Sequence, residues 1–201
     1  MPTERFDLRA WMFRYRSYTP LPFLALMIWF ASPTPASMAA GFAIVLFGEG
    51  IRFWGVSFVG AETRTTGTVG GTYLVTNGPF AYVRNPLYVG NMLLYAGIGI
   101  MSLALFPGLL ILALVWFGVQ YSLIVAREEE YLAKRFGDEF REYVRRVPRF
   151  VPRLTPFASS RPAPKSLDTG EGFASERRTL QAIGLVALLI VGKYLYLQLA
   201  G

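Results

Sequence analysis

GLLILALVWFGVQYSLIVA, residues 108–126, is followed at once by REEE, residues 127–130. These nineteen residues carry no charge, and as a helix they rise about 28 Å, close to the ~30 Å of a bilayer's hydrocarbon. The stretch is therefore expected to cross a membrane, with Arg127 marking the boundary.

Three further segments are long enough to do the same: Met38 to Val59, Leu87 to Phe106 and Leu180 to Leu199. A shorter one, Pro20 to Ser32, ends in Ser32-Pro33-Thr34-Pro35, which predicts a tight helical hairpin with the next segment. Arg-rich residues before Leu21 and small residues after Ala31 also fit a signal peptide; the long charged leader and the later spans favour a first membrane segment. The expected fold is all-α, a multi-span integral membrane bundle of about five helices.

The composition agrees: 53% of residues are hydrophobic, 15% aromatic and 16% charged, too apolar for an ordinary soluble domain. The net charge of +7 would suit an anionic surface, and the basic residues lie beside apolar runs, so a bilayer rather than a nucleic acid is the expected partner. With no cysteine and no histidine, disulfides, thiolate or imidazole metal sites and any nucleophile–histidine pair are excluded. Chemistry must come from carboxylates, Arg, Tyr, Asn and Ser/Thr.

Basic residues outside the spans are confined to alternate loops. The leader holds four, residues 60–86 two, and residues 127–179 twelve, while the turns at 33–37 and at Pro107 hold none. The positive-inside rule then places the N-terminus and these loops in the cytoplasm and the C-terminus outside.

Beyond Arg127, Leu132, Phe136, Phe140, Tyr143 and Val147 recur at spacings of three and four, predicting a cytoplasmic amphipathic helix. Its charged face offers Glu130–Lys134, Lys134–Asp138 and Glu142–Arg146 as pairs four apart, and Pro148 and Pro152 should end it. Residues 158–178, rich in Pro, Ser, Gly and charge, read as a flexible cytoplasmic linker, so that 1–157 is the main domain and 179–201 an appended membrane helix. The Gly/Thr-rich stretch at 63–72 lacks the Gly-Lys-Ser/Thr ending of a phosphate loop and reads as a connection.

Three constellations could carry chemistry. In the first, Gly78-Pro79-Phe80-Ala81-Tyr82-Val83-Arg84-Asn85-Pro86-Leu87-Tyr88-Val89-Gly90, a Gly-Pro turn leads into a span. Free backbone N–H groups, Arg84 and Gly90 there could cradle a carboxylate; the same residues also read as a capped helix entry with a snorkelling arginine. The second is Arg127-Glu128-Glu129-Glu130, whose carboxylates point about 100° apart around a helix, so that one or more should face the bundle. A solvated interfacial turn is the plainer reading. The third is Glu49 and Arg52, one turn apart within a span, where charge is costly and usually faces the interior; a mutual salt bridge lining a polar substrate cavity is expected.

Residues 78–90 resemble the Gly-Pro-Tyr, Arg-His-Pro-x-Tyr-x-Gly signature of the isoprenylcysteine carboxyl methyltransferase and phospholipid methyltransferase group. Its second signature, Glu-Glu-x-x-Leu-x-x-x-Phe-Gly-x-x-Tyr-x-x-Tyr-x-x-x-Val-x-Arg-x-x-Pro, is matched by Glu128, Glu129, Leu132, Phe136, Gly137, Tyr143, Val147, Arg149 and Pro152. The resemblance covers about residues 40–155, with Asn85 in place of the usual histidine and Phe140 in place of a common tyrosine.

The resemblance implies an S-adenosylmethionine-dependent membrane methyltransferase with its cofactor pocket at the cytoplasmic mouth of the bundle. Tyr82, Arg84, Asn85, Tyr88 and Gly90 would border it on one side and Arg127, Glu128 and Glu129 on the other, with Arg84, Glu129 and Arg127 nearest the chemistry. The acceptor would be lipophilic: a prenylated cysteine carboxylate, a lipid amine or a small thiol. The competing reading is a non-enzymatic membrane protein, transporter or scaffold, that keeps the fold; Asn85 is its best support.

Overall fold

A computed structural model describes residues 7–59, 73–158 and 167–200. The stretch at 63–72, and residues 159–166 of the expected linker, lie outside the described residues. Among the described residues the chain is helical, without strands: α1 (Leu8–Tyr15), α2 (Pro20–Trp29), α3 (Pro35–Val59), a 3-10 turn (Gly78–Ala81), α4 (Pro86–Ser102), α5 (Gly108–Arg146) and α6 (Thr169–Ala200).

Helix starts follow local chemistry. Asp7 caps α1 by accepting from the backbone N–H groups of Arg9 and Ala10 at 2.9 and 3.2 Å. Pro20, Pro35 and Pro86 each open a helix, where a missing N–H costs nothing. At the start of α3, Thr34 and Ser37 exchange hydrogen bonds, the backbone N–H of each reaching the other's hydroxyl; the tight hairpin expected here is not formed, because α2 packs on α4, α5 and α6 rather than along α3.

Three helices, α3, α5 and α6, are long and apolar enough to cross a membrane. The expected count of five also drew on α2 and α4, which are apolar but have only 10 and 17 residues, about 15 and 26 Å of rise. The α4 run expected to reach Phe106 stops at Ser102 because Leu103 turns left-handed (φ 48°) and donates its N–H back to Gly99.

α3 and α4 pack along a seam of glycines seven residues apart. A Cβ on Gly41 would lie 2.4 Å from the Gly97 carbonyl, and one on Gly90 would lie 2.7 Å from the Gly48 carbonyl. Backbones this close gain dispersion contacts that larger side chains would prevent, which is how membrane helices associate without a hydrophobic driving force. Around the seam, Met27, Val45, Leu94, Ile98, Phe117, Ile124 and Ile190 form the buried core, with Tyr95 stacked on Phe117 at 4.0 Å.

Two further expectations need correction. The amphipathic stretch does not start as a new helix at Arg127: the helix of the span continues to Phe136, and a second helical segment runs on to Arg146 from Gly137, whose φ of 53° and ψ of −121° leave the helical region. The break separates Lys134 from Asp138, and the charges pair elsewhere, Glu130 with Arg9 and Asp138 with Arg141. Leu132, Phe136, Phe140, Tyr143 and Val147 do gather in one cluster, with Leu74 and Phe157.

Residues 169–178, expected as flexible linker, form the first turns of α6. They fold because α3 receives them. Ser57 accepts from the Asp168 N–H at 2.8 Å, Phe173 packs on Phe53 at 4.7 Å, and a Cβ on Gly172 would strike Ser57 Oγ at 2.2 Å.

Candidate active site

The two signature segments meet at the start of α4. Pro148 accepts from the Arg84 N–H at 2.9 Å, Tyr82 from the Arg153 N–H at 3.0 Å, and Ala81 from the Phe157 N–H at 2.9 Å. Asn85 precedes α4 without capping it; its Nδ2 donates instead to the Arg149 carbonyl at 3.0 Å. Tyr143 Oη donates to the Phe80 carbonyl at 2.7 Å, and burial pushes its phenol above the usual tyrosine range, so it remains a donor. The Gly137 break lets the chain return from α5 to make these contacts.

Inside the clasp, Glu129 lies between two guanidinium groups. Arg84 Nη1 is 3.1 Å from Glu129 Oε1, Arg149 Nε donates to the same oxygen at 3.1 Å, and Arg149 Nη2 pairs with Oε2. The Arg84 contact lies off hydrogen-bond geometry, so charge holds it, and Arg84 Nε and Nη1 stay buried without an acceptor. Burial pulls the Arg84 guanidinium below the usual arginine range, with Glu129 opposing. One helical position earlier, Glu128 Oε1 accepts from Tyr88 Oη at 2.9 Å, and Tyr88 stacks on Tyr121 at 4.7 Å.

Arg84, Asn85, Tyr88, Glu128 and Glu129 are thus brought together. Three others expected with them are placed elsewhere. Arg127 is turned to α1, its Nη1 3.5 Å from Asp7, because Arg127 and Glu129 point to well-separated directions on a helix. Tyr82 gives the clasp only its backbone carbonyl, its ring packing on Trp54 at 6.1 Å. Gly90 faces α3, where the Arg52 stem would meet its Cβ at 2.4 Å.

Glu49 and Arg52 lie 3.4 Å apart, yet Arg52's stronger partner is Glu176 of α6, both of whose oxygens are 2.8 Å from Nη2. Its Nη1 donates to Asn91. α6 and α4 therefore close around this pair, which was expected to line a cavity.

Sequence reasoning missed Arg149 and Glu176 as interacting residues. Arg149 stands in the second signature, a signal that was there to use. Glu176 lies among Ser and Arg, like any solvated acid, and only its partner 124 residues away distinguishes it.

The residues present fit a small zwitterion. Orphaned N–H groups on Arg84 suit a carboxylate, and two adjacent carboxylates with a tyrosine suit ammonium and hydroxyl groups.

A model of the phospholipid methyltransferase family matches residues 36–139. The cobalt-zinc-cadmium resistance protein CzcN of Cupriavidus metallidurans is 38% identical over 104 residues, 52% of this chain and 44% of that protein. The nickel-cobalt-cadmium resistance protein NccN of Alcaligenes xylosoxydans xylosoxydans is 41% identical over 88 residues, 44% and 40% of the two chains. The protein-S-isoprenylcysteine O-methyltransferase of Schizosaccharomyces pombe is 38% identical over 81 residues, 40% of this chain and 34% of that protein. The matches span less than half the length of each of these relatives. The family match takes in the whole α3–α4 glycine seam and the Arg84, Tyr88, Glu128 and Glu129 side chains, over half of the 201 residues, and on that ground the chain belongs to the phospholipid methyltransferase family.

Proposed function

We propose that this protein transfers a methyl group from S-adenosylmethionine to a lipophilic acceptor at the cytoplasmic face of a membrane. The observation that carries this reading is the clasp of residues 81–85 against 148–157 around Arg84, Glu129 and Arg149. The uneven loop charges support a cytoplasmic N-terminus and active site, with the C-terminus outside.

Arg84 Nε and Nη1 would hold the cofactor's carboxylate, and Glu128 and Glu129 its ammonium or ribose hydroxyls. Bound there, S-adenosylmethionine supplies an electrophilic methyl group on a sulfonium. The protein's part is positioning and exclusion of water: Tyr88 aims Glu128, and the Asn85–Arg149 bond holds the loop that covers the cluster. A carboxylate acceptor needs no base. An amine or thiol must lose a proton, and Glu128, which accepts from Tyr88 through one oxygen, has more capacity to take it than Glu129, which two guanidinium groups engage.

Calorimetry with purified protein tests the reading: S-adenosylmethionine should bind, and Glu128→Gln and Arg84→Gln should each weaken binding at least about tenfold, near 1.4 kcal/mol. No heat from intact protein would sink it. Mass spectrometry of lipid extracts after incubation with methyl-labelled cofactor then identifies the acceptor class.

A second reading, a non-enzymatic membrane protein on the same fold, draws on Asn85 standing where the signature has histidine, and on two relatives named as resistance proteins. Methyl transfer absent from the native chain and gained by Asn85→His would favour it.

A further inference from the structure

The segment after the α5 kink carries a surface that the clasp does not use. Residues 141–154 hold five arginines against one acid. Arg141 is paired with Asp138 and Arg149 with Glu129. Arg145 and Arg146 are exposed and have no acid partner within 4 Å among the described residues. Arg153 donates to the Arg146 carbonyl and to Thr155, both neutral, so neither offsets its charge.

Beside these arginines, two apolar side chains lie open: Val151 is 75% exposed and Leu154 98%. Their height in the bilayer follows from the backbone. Arg153 and Phe157 are hydrogen-bonded to Tyr82 and Ala81, a few residues before Pro86, where apolar α4 begins. The loop therefore lies level with the start of apolar α4.

Exposed apolar side chains ringed by unpaired arginines at an interface match a surface with an apolar interior and negatively charged headgroups. From this geometry we propose that the 145–154 segment is a docking surface for anionic phospholipids, with Arg145, Arg146 and Arg153 on their phosphates and Val151 and Leu154 among their acyl chains. Arg149, in the same loop, touches Glu129, so lipid bound here would brace the clasp. The surface stands whether or not methyl transfer is the activity, and its test does not read activity.

The chain has no cysteine, so Leu154→Cys gives a single labelling position. The full protein, labelled there with an environment-sensitive fluorophore, would be placed in phosphatidylcholine nanodiscs with and without phosphatidylglycerol. Headgroup spin-labelled phosphatidylglycerol should quench the label at least about threefold more than spin-labelled phosphatidylcholine, and added salt should erase the difference. Arg145→Gln with Arg146→Gln should also erase it, with an unchanged unfolding midpoint because neither side chain has an acid partner to lose among the described residues. Equal quenching by the two lipids would overturn the proposal, as would a preference that survives the double substitution. So would no quenching by either, the result expected if water or another protein covers this face.

Discussion

Glu129 holds one negative charge between two positive ones, and both guanidinium groups depend on it for compensation. Replacing it with glutamine leaves Arg84, only 11% exposed at its side chain, facing Arg149 with no counter-charge. Breaking a buried pair from one side costs about 3–5 kcal/mol; Arg149 is 39% exposed, and water there should keep the loss near the lower figure. Glu129→Gln should therefore lower the thermal midpoint and abolish cofactor binding together, measured by unfolding and calorimetry on one sample. Asn85 acts more gently. Asn85→Ala removes one hydrogen bond to the Arg149 carbonyl, about 1 kcal/mol, whereas Asn85→His can still donate a ring N–H and should retain most of that stability. Equal unfolding midpoints for Asn85→Ala and the native chain would show that the tether contributes nothing.

The helices make their own demands, clearest at Gly137. Its backbone conformation is closed to residues with a Cβ, yet nothing lies within 4 Å of where that Cβ would go. Any cost of Gly137→Ala is therefore backbone strain alone, about 1–3 kcal/mol. Straightening α5 instead would carry Tyr143 away from the Phe80 carbonyl and open the clasp. Gly137→Ala should thus speed hydrogen exchange in residues 143–153 ahead of the spans, and an unaltered exchange pattern would mean the break is not needed. This break and the α6 boundary also mark what the sequence left hidden. The 108–126 run announces its helix because length and apolarity are local properties, and the two signatures mark Arg84, Tyr88, Glu128 and Glu129 because their residues are adjacent in the chain. Phe136-Gly137 falls inside unbroken helical periodicity, so only the returning chain reveals the kink. Residues 169–178 look like linker by composition, and they fold because α3 presents Arg52, Phe53 and Ser57 to them. Arg127 and Glu129 are near neighbours in sequence, but helical rotation sends one to Asp7 and the other into the cluster.

Across the whole molecule, Arg52 joins α3, α4 and α6 through Glu49, Asn91 and Glu176. Two carboxylates share one guanidinium, and the side chains of Glu49 and Glu176 are 8% and 1% exposed, so with both ionised the cluster would carry one negative charge too many for a low-dielectric interior. Removing different members should therefore have unequal consequences. Glu49→Gln takes away the excess charge and leaves the better Arg52–Glu176 contact; since neither Glu49 oxygen has a hydrogen-bond partner to lose, stability should hold or rise. Glu176→Gln leaves Arg52 with the longer Glu49 contact and Asn91, at a cost of about 1–2 kcal/mol for the weakened charge-assisted bonds. Arg52→Met strands two buried carboxylates and should cost more than about 4 kcal/mol or prevent α6 from docking. Unfolding midpoints in one detergent should therefore descend from Glu49→Gln through Glu176→Gln to Arg52→Met. Adding Glu49→Gln and Glu176→Gln to Arg52→Met should recover most of the loss, because no uncompensated charge then remains. If Glu49→Gln proved as damaging as Arg52→Met, the excess-charge account would fail, and the Glu49–Arg52 contact would have to be a stabilising pair in its own right.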